Sequence, residues 1–168
     1  MGRQSGTARA VTCAVSEIYA ARRSLLWSGV MLGIGVIGTL DGVILHELLQ
    51  WHKFYVHTTE FWRTFIDGLF HLVTAAFLFA GAYRLWVTRH LLHRAGRERV
   101  LWAGILFGMG GFNLYDGIVQ HKIFQLHPVR EGVDGPALLP YDLVFNALAV
   151  LLLLGGWFVL RSARAGQD

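Results

Sequence analysis

Four long apolar runs divide the chain, at 25–50, 64–86, 100–125 and 141–160. Crossing a hydrocarbon core about 30 Å thick takes about 20 helical residues, and each run is that long. None shows the in–out alternation of a membrane β-strand, so a helix is the way each can satisfy its backbone in lipid. The chain holds only 3 Pro, which leaves such helices uninterrupted. The pattern predicts an all-α integral membrane protein, a four-helix bundle forming one membrane domain over 25–161. A basic tail, 1–24, precedes it as an amphipathic or disordered arm, and a short tail, 162–168, follows. The first run comes after arginines, as a signal core would. It is far longer than such a core and contains Asp41 and His46, so it reads as a retained helix.

The polar positions inside the runs are not scattered. Shifted by 75 positions, the chain falls on itself without a gap. Trp27 meets Trp102, Gly29 meets Gly104, and Gly33 and Gly35 meet Gly108 and Gly110. Asp41-Gly42 meets Asp116-Gly117, His46 meets His121, Gln50 meets Gln125, His52 meets His127, and Asp67 meets Asp142. Most of these matches are polar or glycine, so apolar composition does not produce them. The expected architecture is two tandem two-helix repeats, about 25–86 and about 100–161, related by a pseudo-twofold axis along the membrane normal. Helices one and three become equivalent, as do two and four. Glycines at near-helical spacing let such helices approach closely in lipid.

Composition agrees with a membrane home. Hydrophobic residues make up 54% and charged residues 15%, with a mean hydropathy of +0.45; soluble domains carry about 25% charged residues. The net charge of +4 would suit nucleic acid, but the basic residues sort by side instead. The N-terminal tail, the link between runs two and three, and the C-terminus hold Arg3, Arg9, Arg22, Arg23, Arg84, Arg89, Arg94, Arg97, Arg99, Arg161 and Arg164. The other two connections hold Lys53, Arg63, Lys122 and Arg130, partly offset by Glu60, Glu131 and Asp134. The positive-inside rule then places both termini in the cytoplasm, the protein in the cytoplasmic (inner) membrane, and nucleic acid outside the list of partners. The single Cys13 excludes a disulfide framework or a Cys-rich metal site within one chain.

Each repeat reads D-G-x3-H-x3-Q-x-H toward the outer end of its first helix: Asp41, His46, Gln50 and His52, then Asp116, His121, Gln125 and His127. The second helix of the first copy adds Asp67 and His71, matched by Asp142 and Asn146. At 1.5 Å per residue, His46 lies about 9 Å inward of His52, and Asp67 and His71 lie at about the same depth. His121, Asp142 and Asn146 form the equivalent layer. Asp41 is five residues before His46, about 140° away around an ideal helix. The two cannot serve one atom unless the helix distorts near Gly42.

Ionisable groups within a bilayer are costly unless paired or hydrated, so they mark function by default. Histidines with carboxylates and no thiolate suit Cu(II), Fe or Zn. The expected cofactor is a metal ion, copper or iron ahead of zinc, with His46, His71, His121, Asp67 and Asp142 as ligands. Asp41, Asp116, Gln50, Gln125 and Asn146 are expected as supporting or proton-relay groups, and His52 and His127 as interfacial residues. Haem b between His46 and His121 is a variant of the same reading. The competing readings are a proton- or ion-coupled transport component, and a structural or assembly subunit in which Asp–His bonds only pin helices together. No nucleophilic triad is visible, and no catalytic residue is assigned.

The set G-x-G-x-x-G-x-x-D-G-x3-H-x3-Q-W-H at 33–52, D-G-L-F-H at 67–71, G-G-F-N-L-Y-D-G-x3-H at 110–121 and Y-D at 141–142 resembles a bacterial and archaeal family of predicted membrane proteins, catalogued as a domain of unknown function. The resemblance covers nearly all the chain after residue 25. It implies the membrane fold and the polar layer, and brings no activity with it. The Gly-rich run is not a dinucleotide fingerprint, because no strand precedes it. The expectation is thus a multi-pass membrane protein with a His/Asp metal site open to the extracytoplasmic side, for redox chemistry or metal handling. The redox branch would make it a metal-dependent membrane oxidoreductase. Its partners are the lipid bilayer and, for so thin a scaffold, a homodimer or a larger membrane complex.

Overall fold

The computed structural model describes residues 3–165. The described residues form four long helices and no strand: α1 (Arg3–Asp41), α2 (Glu60–Thr88), α3 (Arg97–Tyr115) and α4 (Leu139–Ala165). α1 continues into a π-helical segment, Gly42–Leu48, and α3 into another, Asp116–Ile123. The expected N-terminal arm is helical from Arg3 onward, in one piece with the first apolar run. The last three residues of the expected C-terminal tail lie outside the described residues.

Among the described residues, three stretches are long and apolar enough to cross a membrane: Val15–Leu48, Glu60–His93 and Gly135–Ala163. The expected fourth, over 100–125, is less apolar because it is glycine-rich and carries Asn113 and Asp116, both buried. α3 is the helix with most of its surface turned to its neighbours, so it needs less apolar surface of its own. The outer faces are the reverse. Phe79 is 74% exposed, Val144 70% and Leu151 64%. A water-soluble surface does not present contiguous apolar faces of this kind; lipid covers them without cost.

α2 packs on α1, α1 on α3, and α3 on α4. Glycines set the α1–α3 approach. A Cβ on Gly104 would meet Gly29 Cα at 3.1 Å, and one on Gly108 would meet Gly33 Cα at 3.0 Å. Each glycine thus lies against the residue 75 positions before it. The flanking contacts recur at the same spacing. Gly35 lies against Leu78 and Gly110 against Leu153; Gly81 lies against Leu32 and Gly156 against Phe107.

The connections at the histidine end also cross over reciprocally. Val56 N–H donates to Leu126 O at 3.1 Å, and Glu131 N–H donates to Trp51 O at 2.6 Å. Arg63, at the start of α2, pairs with Glu131 of the other connection. Each connection begins with a glutamine in the left-handed region, Gln50 and Gln125, both at φ 50°. That conformation reverses the chain where the π-helical segment ends, and a Cβ there is strained. Gln50→Gly should therefore raise stability in detergent by about 0.5–1 kcal/mol, read as a higher thermal midpoint, with the fold unchanged.

Candidate metal centre

In the two π-helical segments the backbone bonds run from i to i+5, which brings residues five apart onto one face. Asp41 and His46 are five apart, and so are Asp116 and His121. The segments begin within one residue of the two Asp-Gly pairs. Glycine leaves room there for the facing side chains: a Cβ on Gly117 would meet Asn146 Oδ1 at 2.6 Å, and one on Gly42 would overlap the His71 ring. The outcome is that Asp41 Oδ2 lies 3.3 Å from His46 Nε2, and Asp116 Oδ2 lies 3.0 Å from His121 Nε2.

The left-handed glutamines then fold the chain back over the helix ends. His52 and His127, expected at the interface, are instead buried, at 1% and 2% exposure. The depth arithmetic failed because it carried the helix straight on to residue 52, whereas the helix ends at Leu48 and the chain reverses at Gln50. His52 Nδ1 lies 2.8 Å from Val129 O, and His127 Nδ1 lies 2.9 Å from Phe54 O. A carbonyl only accepts, so each Nδ1 carries the proton and each Nε2 keeps its lone pair. Burial holds both imidazoles below the ordinary histidine range, and for His127 the neighbouring histidines add to it.

Four histidine rings stand together. Centroids are 4.6 Å apart for His46 and His52, 4.7 Å for His52 and His127, and 4.5 Å for His127 and His121. His121 Nε2 lies 3.0 Å from His127 Nε2, and Asp116 Oδ1 lies 3.7 Å from the same atom. Two sets of potential ligand atoms lie within 4.8 Å of one another: Asp41, His46 and His52, and His52, His121 and His127. His127, protonated at Nδ1, accepts a hydrogen bond from His121 Nε2 at 3.0 Å, and an ion held by both nitrogens would replace that proton. His52 Nε2 and Asp116 Oδ2 are buried without a hydrogen bond. Asp116 Oδ2 thus lies close to His121 Nε2 without a hydrogen bond to it.

The other expected site residues fall in different places. Asp67 is buried beside the cluster, where its Oδ1 lies 3.0 Å from His46 Nδ1 and accepts the Phe54 N–H at 2.7 Å. It contacts His46 and belongs to neither of the two grouped sets. Asp142 is paired with Lys122, and Asn146 bonds back to the Asp142 carbonyl at 2.8 Å. His71, expected as a ligand, stands outside: its ring is 6.4 Å from that of His46, and its Nε2 is 3.9 Å from the exposed Glu47. The π-helical turn aims His46 inward toward His52, and His71 fills the space over Gly42. Gln50 and Gln125 have exposed side chains and act through their backbone. Sequence reasoning set Asp41, Asp116, His52 and His127 apart from the central group, whereas they are buried with His46 and His121 in one cluster. The signal for the two aspartates was the repeated Asp-Gly-x3-His spacing, five residues in both copies. Asn113 and Gln120, buried and polar, went unremarked.

No curated protein and no solved structure matches the chain. The family described as "Predicted membrane protein (DUF2243)", whose function is unknown, matches residues 28–163. That span takes in all but the first three residues of the four apolar runs and every histidine and aspartate of the cluster, and the chain belongs to this family of predicted membrane proteins.

Proposed function

We propose that the protein is a polytopic membrane metalloprotein whose His/Asp centre binds a transition metal, copper or iron ahead of zinc, for redox chemistry or metal handling. The observation that carries this reading is the convergence of four buried imidazoles and two carboxylates, with His52 Nε2 left without a hydrogen bond while its Nδ1 bonds the Val129 carbonyl. The Asp67–His46 contact supports it further, since carboxylate–imidazole pairs orient metal ligands and raise their basicity. A haem is served less well. His127 Nε2 lies 3.0 Å from His121 Nε2, in the space a porphyrin ring would need.

The scaffold we propose is a four-span bundle of two tandem two-helix repeats, with α3 and its π-helical extension as the third span. Three observations support the repeat: the glycine contacts that recur 75 positions apart, the twin π-helical segments, and the reciprocal bonds of the two connections. Equivalent residues meeting one another, as Gly29 meets Gly104, is what a twofold axis between α1 and α3 produces. The arginine bias places both termini in the cytoplasm and the histidine end outside. The metal centre then lies in the outer half of the membrane, reached from the extracytoplasmic side beneath the two connections.

The test is elemental analysis with a visible spectrum on protein purified in mild detergent without a His tag, beside the His46→Ala/His121→Ala double variant. Near-stoichiometric metal, lost in the variant while the protein stays monodisperse, is the expected result. Protein that stays metal-free after loading with Cu, Fe and Zn overturns the reading. One observation favours proton coupling as a second reading. Asp67 Oδ2 is 3.3 Å from Lys53 Nζ, which is 3.5 Å from the exposed Glu47, a polar route from the cluster to the surface. In that case Asp41→Asn abolishes proton uptake into proteoliposomes that bind no metal.

A further inference from the structure

We infer that the centre holds two metal ions side by side, each on its own triad of two histidines and one aspartate. This rests on the metal reading above and specifies it. The first triad is Asp41, His46 and His52; the second is Asp116, His121 and His127, each member 75 positions after its counterpart. Their geometries correspond. The carboxylate oxygen lies 3.3 Å from the first histidine's Nε2 in one and 3.0 Å in the other. The two rings of a triad stand edge-on, at 4.6 Å and 68° in one and 4.5 Å and 78° in the other.

A single ion shared by all six residues fits less well. Asp41 and His46 group with His52, whereas Asp116 stands against the other pair, its Oδ2 3.0 Å from His121 Nε2 and its Oδ1 3.7 Å from His127 Nε2; His52 also lies within reach of that second pair. Where the halves meet, His52 and His127 lie stacked at 4.7 Å and 21°, so neighbouring ions would be only a ring's width apart. Two-histidine, one-carboxylate sets leave coordination positions free and are the donor set of non-haem iron(II).

The supporting shells of the two triads differ. His46 Nδ1 is held by Asp67 at 3.0 Å, whereas His121 Nδ1 and Asp142 Oδ1 are both buried without a partner, and Asp142 is engaged by Lys122. Loss of such an orienting partner weakens metal binding about 10- to 100-fold. The first triad therefore fills before the second.

The experiment loads chelator-stripped protein in detergent with Fe(II) under anaerobic conditions and, separately, with Cu(II). Bound metal is counted per chain, and the Cu(II) form is examined by electron paramagnetic resonance. Two ions per chain, taken up in two steps about 10- to 100-fold apart, with a half-field signal from coupled Cu(II), are expected. Asp41→Ala/His46→Ala and Asp116→Ala/His121→Ala should each retain one ion and lose the coupling, the latter keeping the tighter step. One ion in the unmodified protein, lost in either variant, overturns the pair but leaves the metal reading standing. No ion at all overturns both. If a variant does not fold, the count and the coupling in the unmodified protein decide the matter alone.

Discussion

Gly108→Leu should prevent α1 and α3 from closing. A Cβ at position 108 already meets Gly33 Cα and Ile34 N at 3.0 Å and overlaps the Val30 carbonyl. These are backbone atoms of a helix packed on both sides, so no rotamer change relieves the overlap. Overpacking against side chains costs about 1–3 kcal/mol, and here the expected loss is about 3 kcal/mol or more. Thermal unfolding in detergent, followed by size-exclusion profile, would show aggregated or far less stable protein. Gly111→Leu is the control: nothing lies within 4 Å of a Cβ there, and the substitution should leave the midpoint unchanged. Equal tolerance at both positions would mean that the α1–α3 approach is not as close as described.

His52→Ala should remove the ion of the first triad, while His71→Ala should remove none. His52 belongs to both sets of ligand atoms, and its Nδ1 bond to Val129 ties one connection to the other. Its loss should weaken binding by more than the about 100-fold upper bound for an orienting residue. His71 is half-buried and outside both sets, with Glu47 as its nearest carboxylate. Metal content after dialysis against a weak chelator, measured for the two variants in parallel, separates them. Loss with His71→Ala and retention with His52→Ala would reverse the assignment of ligands.

Much of the helical architecture was legible along the chain. The apolar runs located α1, α2 and α4, because a helix facing lipid must be apolar over most of its circumference. They located α3 as well, although its glycines and polar residues dilute the signal. Asp41, His46, Asp116 and His121 stood out as polar residues inside apolar runs. Their grouping did not. At 3.6 residues per turn, Asp41 and His46 point apart, and only the i to i+5 register brings them together. A π-helical turn has no distinctive composition; the Gly42 and Gly117 positions permit it without announcing it.

The sequence by itself determined that this is a helical membrane protein with ionisable groups buried at corresponding points of its two halves. Those features are local: hydropathy, spacing and the 75-position match depend only on the order of residues. The tertiary structure alone decided which of the groups meet. His52 enters the cluster because Gln50 turns the chain back and Val129, from the other half, holds its ring. His127 enters through Gln125 and Phe54 in the same way. Each half thus orients a histidine of the other. A bond between residues 77 positions apart, as between His52 and Val129, has no trace in the periodicity of either segment. It exists because the close α1–α3 approach brings the two connections side by side.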